Sequence, residues 1–145
     1  DRFTRVRLRR EVLPLLEDVL GVGVAEALAR TAGQLQDDGH ALDVWARDLL
    51  ATARREDDLL DTDALAAAPA AVRRRALRSW LIDHTATPNE TMLRAVDDLV
   101  VAWRGQGPVA VGRGPRTGTR LVVSRRRGTL AVEYVDRAKV RATGS

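Results

Sequence analysis

With 145 residues, 45% of them hydrophobic, the chain is long enough for one ordinary domain or two small ones and can bury a core, which excludes disorder over its whole length. No apolar run approaches the ~18 residues of a membrane span and no basic-then-apolar leader opens the chain, so a soluble, cytoplasmic protein without membrane association is expected. Zero cysteines exclude disulfides and thiolate chemistry, and two histidines, His40 and His84, leave too little for a metal site, so no metal is expected.

Only Phe3, Trp45, Trp80, Trp103 and Tyr134 are aromatic, too few for a platform on which bases stack. Lys139 is the single lysine, and the other 23 basic residues are arginine. Their distribution is uneven: residues 1–10 carry net +4, residues 11–103 net −8, and residues 104–145 net +8. Codon bias would spread arginine evenly, whereas an acidic middle between two basic ends suggests that the ends face a polyanion, for which nucleic acid is the natural candidate.

In chain order, a basic first turn followed by Val12, Leu13, Leu15, Leu16 and Val19 predicts an amphipathic helix over residues 4–18, kinked or restarted at Pro14 and broken at Gly21-Val22-Gly23. Leu28, Leu35, Leu42 and Leu49 then recur every seven residues, each with a small residue (Ala32, Gly39, Ala46, Ala53) four positions on. This seam predicts one long helix whose leucines are buried against a partner helix, either in an antiparallel pair within the chain or in a homodimer. A short apolar stretch leads into Pro69 and a helix running to about Asp83, with Val72, Ala76, Trp80, Leu77 and Leu81 inward and Arg73, Arg74, Arg75 and Arg78 on a basic outer face. Thr87-Pro88-Asn89-Glu90 reads as an N-cap Thr, a first-turn Pro and a capping-box Glu, opening a helix with Leu93, Val96, Leu99, Val100 and Trp103 on one side.

Beyond Trp103 the period changes. Seven Gly and Pro residues punctuate residues 105–118, Leu121-Val122-Val123 and residues 130–135 read as a hairpin with Gly128 in the turn, and residues 109–111 offer a third strand. The expected fold is therefore mainly α, an antiparallel helical bundle with a small basic C-terminal β-hairpin or three-stranded sheet. Its layout is a connecting helix at 1–20, a helical body at 21–104, a β appendage at 105–136 and a frayed tail at 137–145.

No phosphate-cradling Gly-x-x-x-x-Gly-Lys-Ser/Thr loop is present, and Gly112-Arg113-Gly114 lies among prolines with no helix after it. Asp37/Asp38, Asp57/Asp58 and Asp97/Asp98 are neighbours along expected helices and so do not face a common point; they read as solvated surface. His40 and His84 have no Ser or Cys partner nearby in sequence and read as surface or cap residues. No catalytic residue is assigned.

Against this background Arg5-Val6-Arg7-Leu8-Arg9-Arg10-Glu11-Val12-Leu13-Pro14 resembles the segment following the catalytic domain of tRNA(Ile)-lysidine synthases, Arg-Asn-Arg-Ile-Arg-His-Glu-Leu-Leu-Pro, departing from it at Val6 and Arg10. Leu28-Ala29-Arg30-Thr31-Ala32 and Arg73-Arg74-Arg75-Ala76-Leu77-Arg78-Ser79-Trp80-Leu81 resemble later parts of the same family, in the same order. The resemblance implies a parent enzyme that uses ATP with Mg to adenylate the wobble cytidine of the CAU anticodon of tRNA(Ile) and then substitutes lysine, changing the codon read from AUG to AUA. The family's Ser-Gly-Gly-x-Asp-Ser pyrophosphate loop does not occur in this sequence. The chain thus resembles the portion after a missing N-terminal catalytic domain, binding tRNA and no cofactor of its own. On that resemblance Arg5, Arg7 and Arg9 are candidate phosphate or anticodon contacts, with Arg5 and Arg9 on one helix face and Arg7 on another. Arg73, Arg74, Arg75, Arg78, Arg113, Arg116, Arg120, Arg125, Arg126 and Arg127 are candidate tRNA-binding residues. A helical interaction or dimerisation module without RNA binding is the alternative, and a helix-turn-helix DNA regulator a weaker one, since no short helix pair carries a polar recognition helix.

Overall fold

The computed structural model describes residues 2–84 and 86–136; the expected frayed tail at 137–145, with Arg137, Lys139 and Arg141, lies outside them. The chain divides into two compact units, one ending at Ala41 and the other beginning at Leu42.

The first unit opens with helix α1 (Arg2–Arg7), a π-helical stretch (Leu8–Val12) and helix α2 (Leu13–Leu20). The Leu13 N–H donates to Leu8 O, a bond one residue longer than the α-helical one, just before Pro14 in the first turn of α2. A proline ring inside an α-helix clashes with the carbonyl four residues back, so widening the turn accommodates Pro14 without ending the helix; the expected kink is realised as a π turn. Gly21 and Gly23 then adopt φ of 99° and 102°, which only glycine does at little cost, and end the helix. No described residue of this unit is buried, and Phe3, Leu15, Val19, Leu20, Leu28 and Leu35 are exposed.

Helix α3 (Val24–Ala53) is the predicted long helix, and it spans the boundary at Ala41. Its seam is buried over only part of its length, which corrects the expectation of a continuously buried stripe. Ala46, Leu50 and Ala53 enter the core and Leu42 and Leu49 pack against it, whereas Leu35 is 66% exposed. The periodicity is a property of the helix; burial requires something to pack on it.

In the second unit a 3₁₀ turn (Glu56–Asp58) leads to strand β1 (Leu60–Asp61), helix α4 (Thr62–Ala66), helix α5 (Ala70–Asp83) and helix α6 (Glu90–Val101). Asp57 and Asp58 sit at φ of 55° and 58°, in a turn rather than on the helix expected for them. Asp61 caps α4 by accepting from Asp63 N at 2.8 Å and Ala64 N at 3.1 Å. Pro69 occupies the N-cap of α5 rather than its first turn. The cap of α6 is Asn89, whose side chain accepts from Met92 N at 2.8 Å, not Thr87 as expected. Pro88 is buried and its carbonyl accepts from Arg78 Nη1 at 3.2 Å, so tertiary contact moves the helix start beyond the sequence signal. Arg73 near the start of α5 meets Asp97 near the end of α6, while Arg78 meets Pro88 just before α6, so these two helices run antiparallel.

Strands β2 (Val109–Arg113), β3 (Thr119–Arg126) and β4 (Thr129–Asp136) form with β1 an antiparallel sheet of order β1-β4-β3-β2. The predicted hairpin and third strand are present, and β1 adds a fourth. Arg127 (φ 50°) and Gly128 (φ 81°) make the two-residue turn between β3 and β4, with positive φ at both central positions as a type I′ hairpin requires. Thr62 ties this turn to α4, its N–H and hydroxyl both donating to Gly128 O at 2.9 Å. Trp80, Leu65, Leu77, Leu81 and Leu99 from the helices share one core with Val111, Leu121, Val123 and Leu130 from the sheet. Each large side chain buried there contributes roughly 1.5–3 kcal/mol.

Candidate nucleic-acid interface

An arginine already bonded to a carboxylate or carbonyl of its own chain has fewer donors and less uncompensated charge to offer a phosphate, so the partners of each predicted residue bear on what it can do. The arginines of α5 are engaged. Arg73, buried, places Nε 2.5 Å and Nη2 3.3 Å from the two oxygens of Asp97 and donates Nη1 to Ala68 O at 2.8 Å. Arg74 Nε reaches the same carboxylate at 3.0 Å, Arg75 Nε reaches Asp43 at 2.9 Å, and Arg78 holds Pro88 O. Arg73 is thus corrected from the expected basic outer face to a buried strut between α5, α6 and the turn that follows α4, whereas Arg74 and Arg75 are paired but partly exposed and Arg78 is exposed. Asp97 is correspondingly not the solvated surface carboxylate expected of it alongside Asp98, for it is only 2% exposed.

Two of the sheet arginines are also occupied. Arg125 Nη1 donates to Leu99 O at 2.8 Å and Val100 O at 3.0 Å, neutralising the carbonyl end of α6, and its guanidinium lies 5.6 Å from the Trp103 ring centroid. Arg126 pairs with Glu133 at 3.5 Å. Arg113, Arg116, Arg120 and Arg127 make no hydrogen bond or ion pair through their guanidinium groups among the described residues.

Three of those four line one cleft of about 710 Å³, formed by Met92 of α6, the end of β2, the 114–118 turn and the start of β3. The turn is internally braced. Gly114 N donates to Thr119 O at 3.0 Å, Thr119 N to Arg116 O at 3.1 Å, and the Thr119 hydroxyl to Arg116 O at 2.7 Å while accepting from Arg116 N at 3.3 Å. A Cβ at position 114 would collide with Thr119 Oγ1 and fall 2.7 Å from Thr119 Cβ, so the packing admits only glycine. Sequence reasoning did not single out Met92 or Thr119 and took Gly114 as a turn former only; the Gly-Pro-Arg-Thr-Gly-Thr run was the available signal.

In the first unit Arg5, Arg7 and Arg9 are all exposed. Arg7 Nε pairs with Glu11 at 3.2 Å, and Arg5 and Arg9 have no ion-pair partner among the described residues.

Two carboxylates are held below their ordinary range. Asp61 is lowered chiefly by the hydrogen bond from Arg55, then by the Ala64 N–H, with burial opposing. Glu90 is lowered chiefly by its hydrogen bond from Arg94; the charges of Arg94, Arg74 and Arg78 act in the same direction against an opposing burial effect. His84 caps the end of α5 with Nε2 2.8 Å from Asp58 Oδ2 and its ring edge-on to Trp80. Among the described residues no three His, Asp or Glu side chains gather in a metal-holding group, and no helix is long and apolar enough to cross a membrane. What the arrangement offers chemically is unneutralised guanidinium on a rigid turn, suited to binding anions.

The chain is similar in sequence to known proteins. Residues 60–131 match the TilS substrate binding domain. The chain is 59% identical over 140 residues to the tRNA(Ile)-lysidine synthase of Nocardia farcinica, an alignment covering 96% of the chain and 43% of that relative. It is 56% identical over 139 residues to the enzyme of Rhodococcus erythropolis, covering 95% and 42%. With the enzyme of Mycobacterium tuberculosis it shares 56% over 135 residues, covering 90% and 42%. The chain thus spans less than half the length of these curated relatives.

Proposed function

We propose, from the match of residues 60–131 to the TilS substrate binding domain, that the chain is the tRNA-holding portion of a cytoplasmic tRNA(Ile)-lysidine synthase. In this reading the chain binds tRNA(Ile) bearing the CAU anticodon and presents its wobble cytidine to an N-terminal catalytic domain. That domain supplies the ATP-dependent ligation of lysine. The observation that carries the reading is that Arg113, Arg116 and Arg120, which like Arg127 make no ion pair among the described residues, line one cleft together, whereas Arg54, Arg55, Arg73, Arg74, Arg75, Arg94 and Arg126 of the same unit each pair with a carboxylate. Neutralising phosphates would release counterions and give these residues the partners they lack.

ATP, Mg and lysine are assigned to the catalytic domain, since this chain has no pyrophosphate loop to hold a nucleotide. Arg5 and Arg9 extend from the segment closest in sequence to that domain and are proposed to face the nucleotide or the anticodon loop, with Arg7 kept for Glu11. The exposed Phe3, Leu15, Val19 and Leu20 support the catalytic domain as a second partner, because a soluble helix rarely leaves so much apolar surface uncovered.

The test is binding of the chain to a tRNA(Ile) transcript over a range of salt. The reading expects a log–log slope of several units, and a slope near zero rejects it. In the parent enzyme, deleting residues 60–131 should abolish lysidine formation.

A further inference from the structure

The cleft at the β2–β3 turn differs from the arginine cluster of α5. On α5, clustered guanidiniums share a carboxylate, as Arg73 and Arg74 share Asp97. Here Arg113 and Arg120 are direct cross-strand partners in the β2–β3 register, and like charges so placed repel. Arg116 stands between them on the turn, and no acid lines the cleft. Repulsion of this kind is relieved by an anion bound among the three. The turn is also rigid: both backbone polar groups of Arg116 are held by Thr119, and Gly114 is the only residue that lets Thr119 approach. Rigid placement of a cation lowers the ordering cost of binding, which is what a binding site needs and a merely solubilising charge does not. The volume, about 710 Å³, is in the range of ligand-holding clefts and far larger than one phosphate.

We propose that this cleft is a preformed clamp for the phosphodiester backbone of RNA, with Arg113, Arg116 and Arg120 as phosphate ligands and Gly114 and Thr119 as positioning residues, and that the arginine run of α5 serves the fold and takes no part in RNA contact. This rests on the reading of the chain as RNA-binding and adds where the contact lies. Met92 closes one wall, so a sugar or base edge of the gripped strand has an apolar surface to lie on.

The experiment titrates a tRNA(Ile) transcript with the 145-residue chain and its variants over a range of salt, with circular dichroism as a check on folding. Arg113→Gln/Arg116→Gln/Arg120→Gln is expected to weaken binding by at least about tenfold and to reduce the salt slope by about two to three, close to one unit for each phosphate left unneutralised. Arg116→Gln alone should exceed Arg94→Gln, which removes the same charge from a paired arginine outside the cleft. Thr119→Val keeps every charge and the Thr119 N–H bond to Arg116 O, removes both hydroxyl bonds to the Arg116 backbone, and should weaken binding by about threefold, as loss of preorganisation does. Restoring the hydroxyl with Thr119→Ser should recover most of it. Unchanged affinity and slope in the triple variant would overturn the clamp while leaving RNA binding by the chain intact. Equal losses from Arg94→Gln and Arg116→Gln would also overturn it, by showing that only net charge matters. Failure of the unmodified chain to bind the transcript would overturn the underlying reading and the clamp together.

Discussion

Replacing Asp97 by alanine tests the most consequential interaction in the helical body. The change removes the acceptor of Arg73 Nε at 2.5 Å, of Arg73 Nη2 at 3.3 Å and of Arg74 Nε at 3.0 Å. The Arg73 side chain is only 8% exposed, so its guanidinium would keep the bond to Ala68 O and otherwise remain charged, buried and unpaired. Breaking a buried pair from one side costs about 3–5 kcal/mol, mostly the penalty of the stranded charge. Arg74 is 38% exposed and can turn to water, so its loss adds at most about 1 kcal/mol. The expected total, about 3–6 kcal/mol, is a large part of the roughly 5–15 kcal/mol that holds a domain folded. Urea unfolding followed by far-UV circular dichroism measures it. Asp98→Ala, one residue along and exposed, should stay within about 0.5 kcal/mol. The pair Arg73→Met/Asp97→Leu should be far less damaging than Asp97→Ala, because no charge is then left behind. A loss below about 1 kcal/mol for Asp97→Ala would refute the argument, since it would mean that water already reaches the pair.

Leu50→Ala should destabilise by about 2–5 kcal/mol and Leu35→Ala by less than about 0.5 kcal/mol in the same unfolding assay, because Leu50 is 9% and Leu35 66% exposed; equal losses would show the seam to be buried throughout. Arg125→Gln removes the donor to Leu99 O and Val100 O and the stacking on Trp103, and should cost about 1–3 kcal/mol of stability while leaving RNA affinity within about twofold; weaker binding at unchanged stability would mark Arg125 as an RNA ligand instead. Asp61→Asn keeps the cap on α4 but loses the charge that bonds Arg55. Since the folded pKa of Asp61 lies below its ordinary value, its ionised form adds stability that is full above about pH 4 and fades as pH falls through the folded pKa. The stability difference between the unmodified chain and its Asp61→Asn variant should therefore be constant near neutrality and shrink in acid; a difference that persists unchanged to about pH 2 would contradict this.

Sequence alone determined what depends on neighbours along the chain. The long α3 follows from its heptad spacing, the inward row Val72, Ala76 and Trp80 from a period near 3.6, and the β3–β4 hairpin from alternating apolar runs around a glycine turn. The family resemblance was also legible, because ordered short motifs survive in the one-dimensional string. Tertiary structure decided which of those locally identical features meet a partner. Asp97 and Asp98 are the same residue type on the same helix, and only the approach of α5 makes one a buried anchor. The α5 and sheet arginines are equally basic in the sequence, yet acceptors 23 to 32 residues away consume Arg74 and Arg75, while Arg113 and Arg120 meet only each other across the β2–β3 register. Even the start of α6 moved from Thr87 to Asn89 once Pro88 was buried under Arg78. Charge and propensity are written residue by residue, whereas pairing and burial are properties of distance in space, which the chain acquires only on folding.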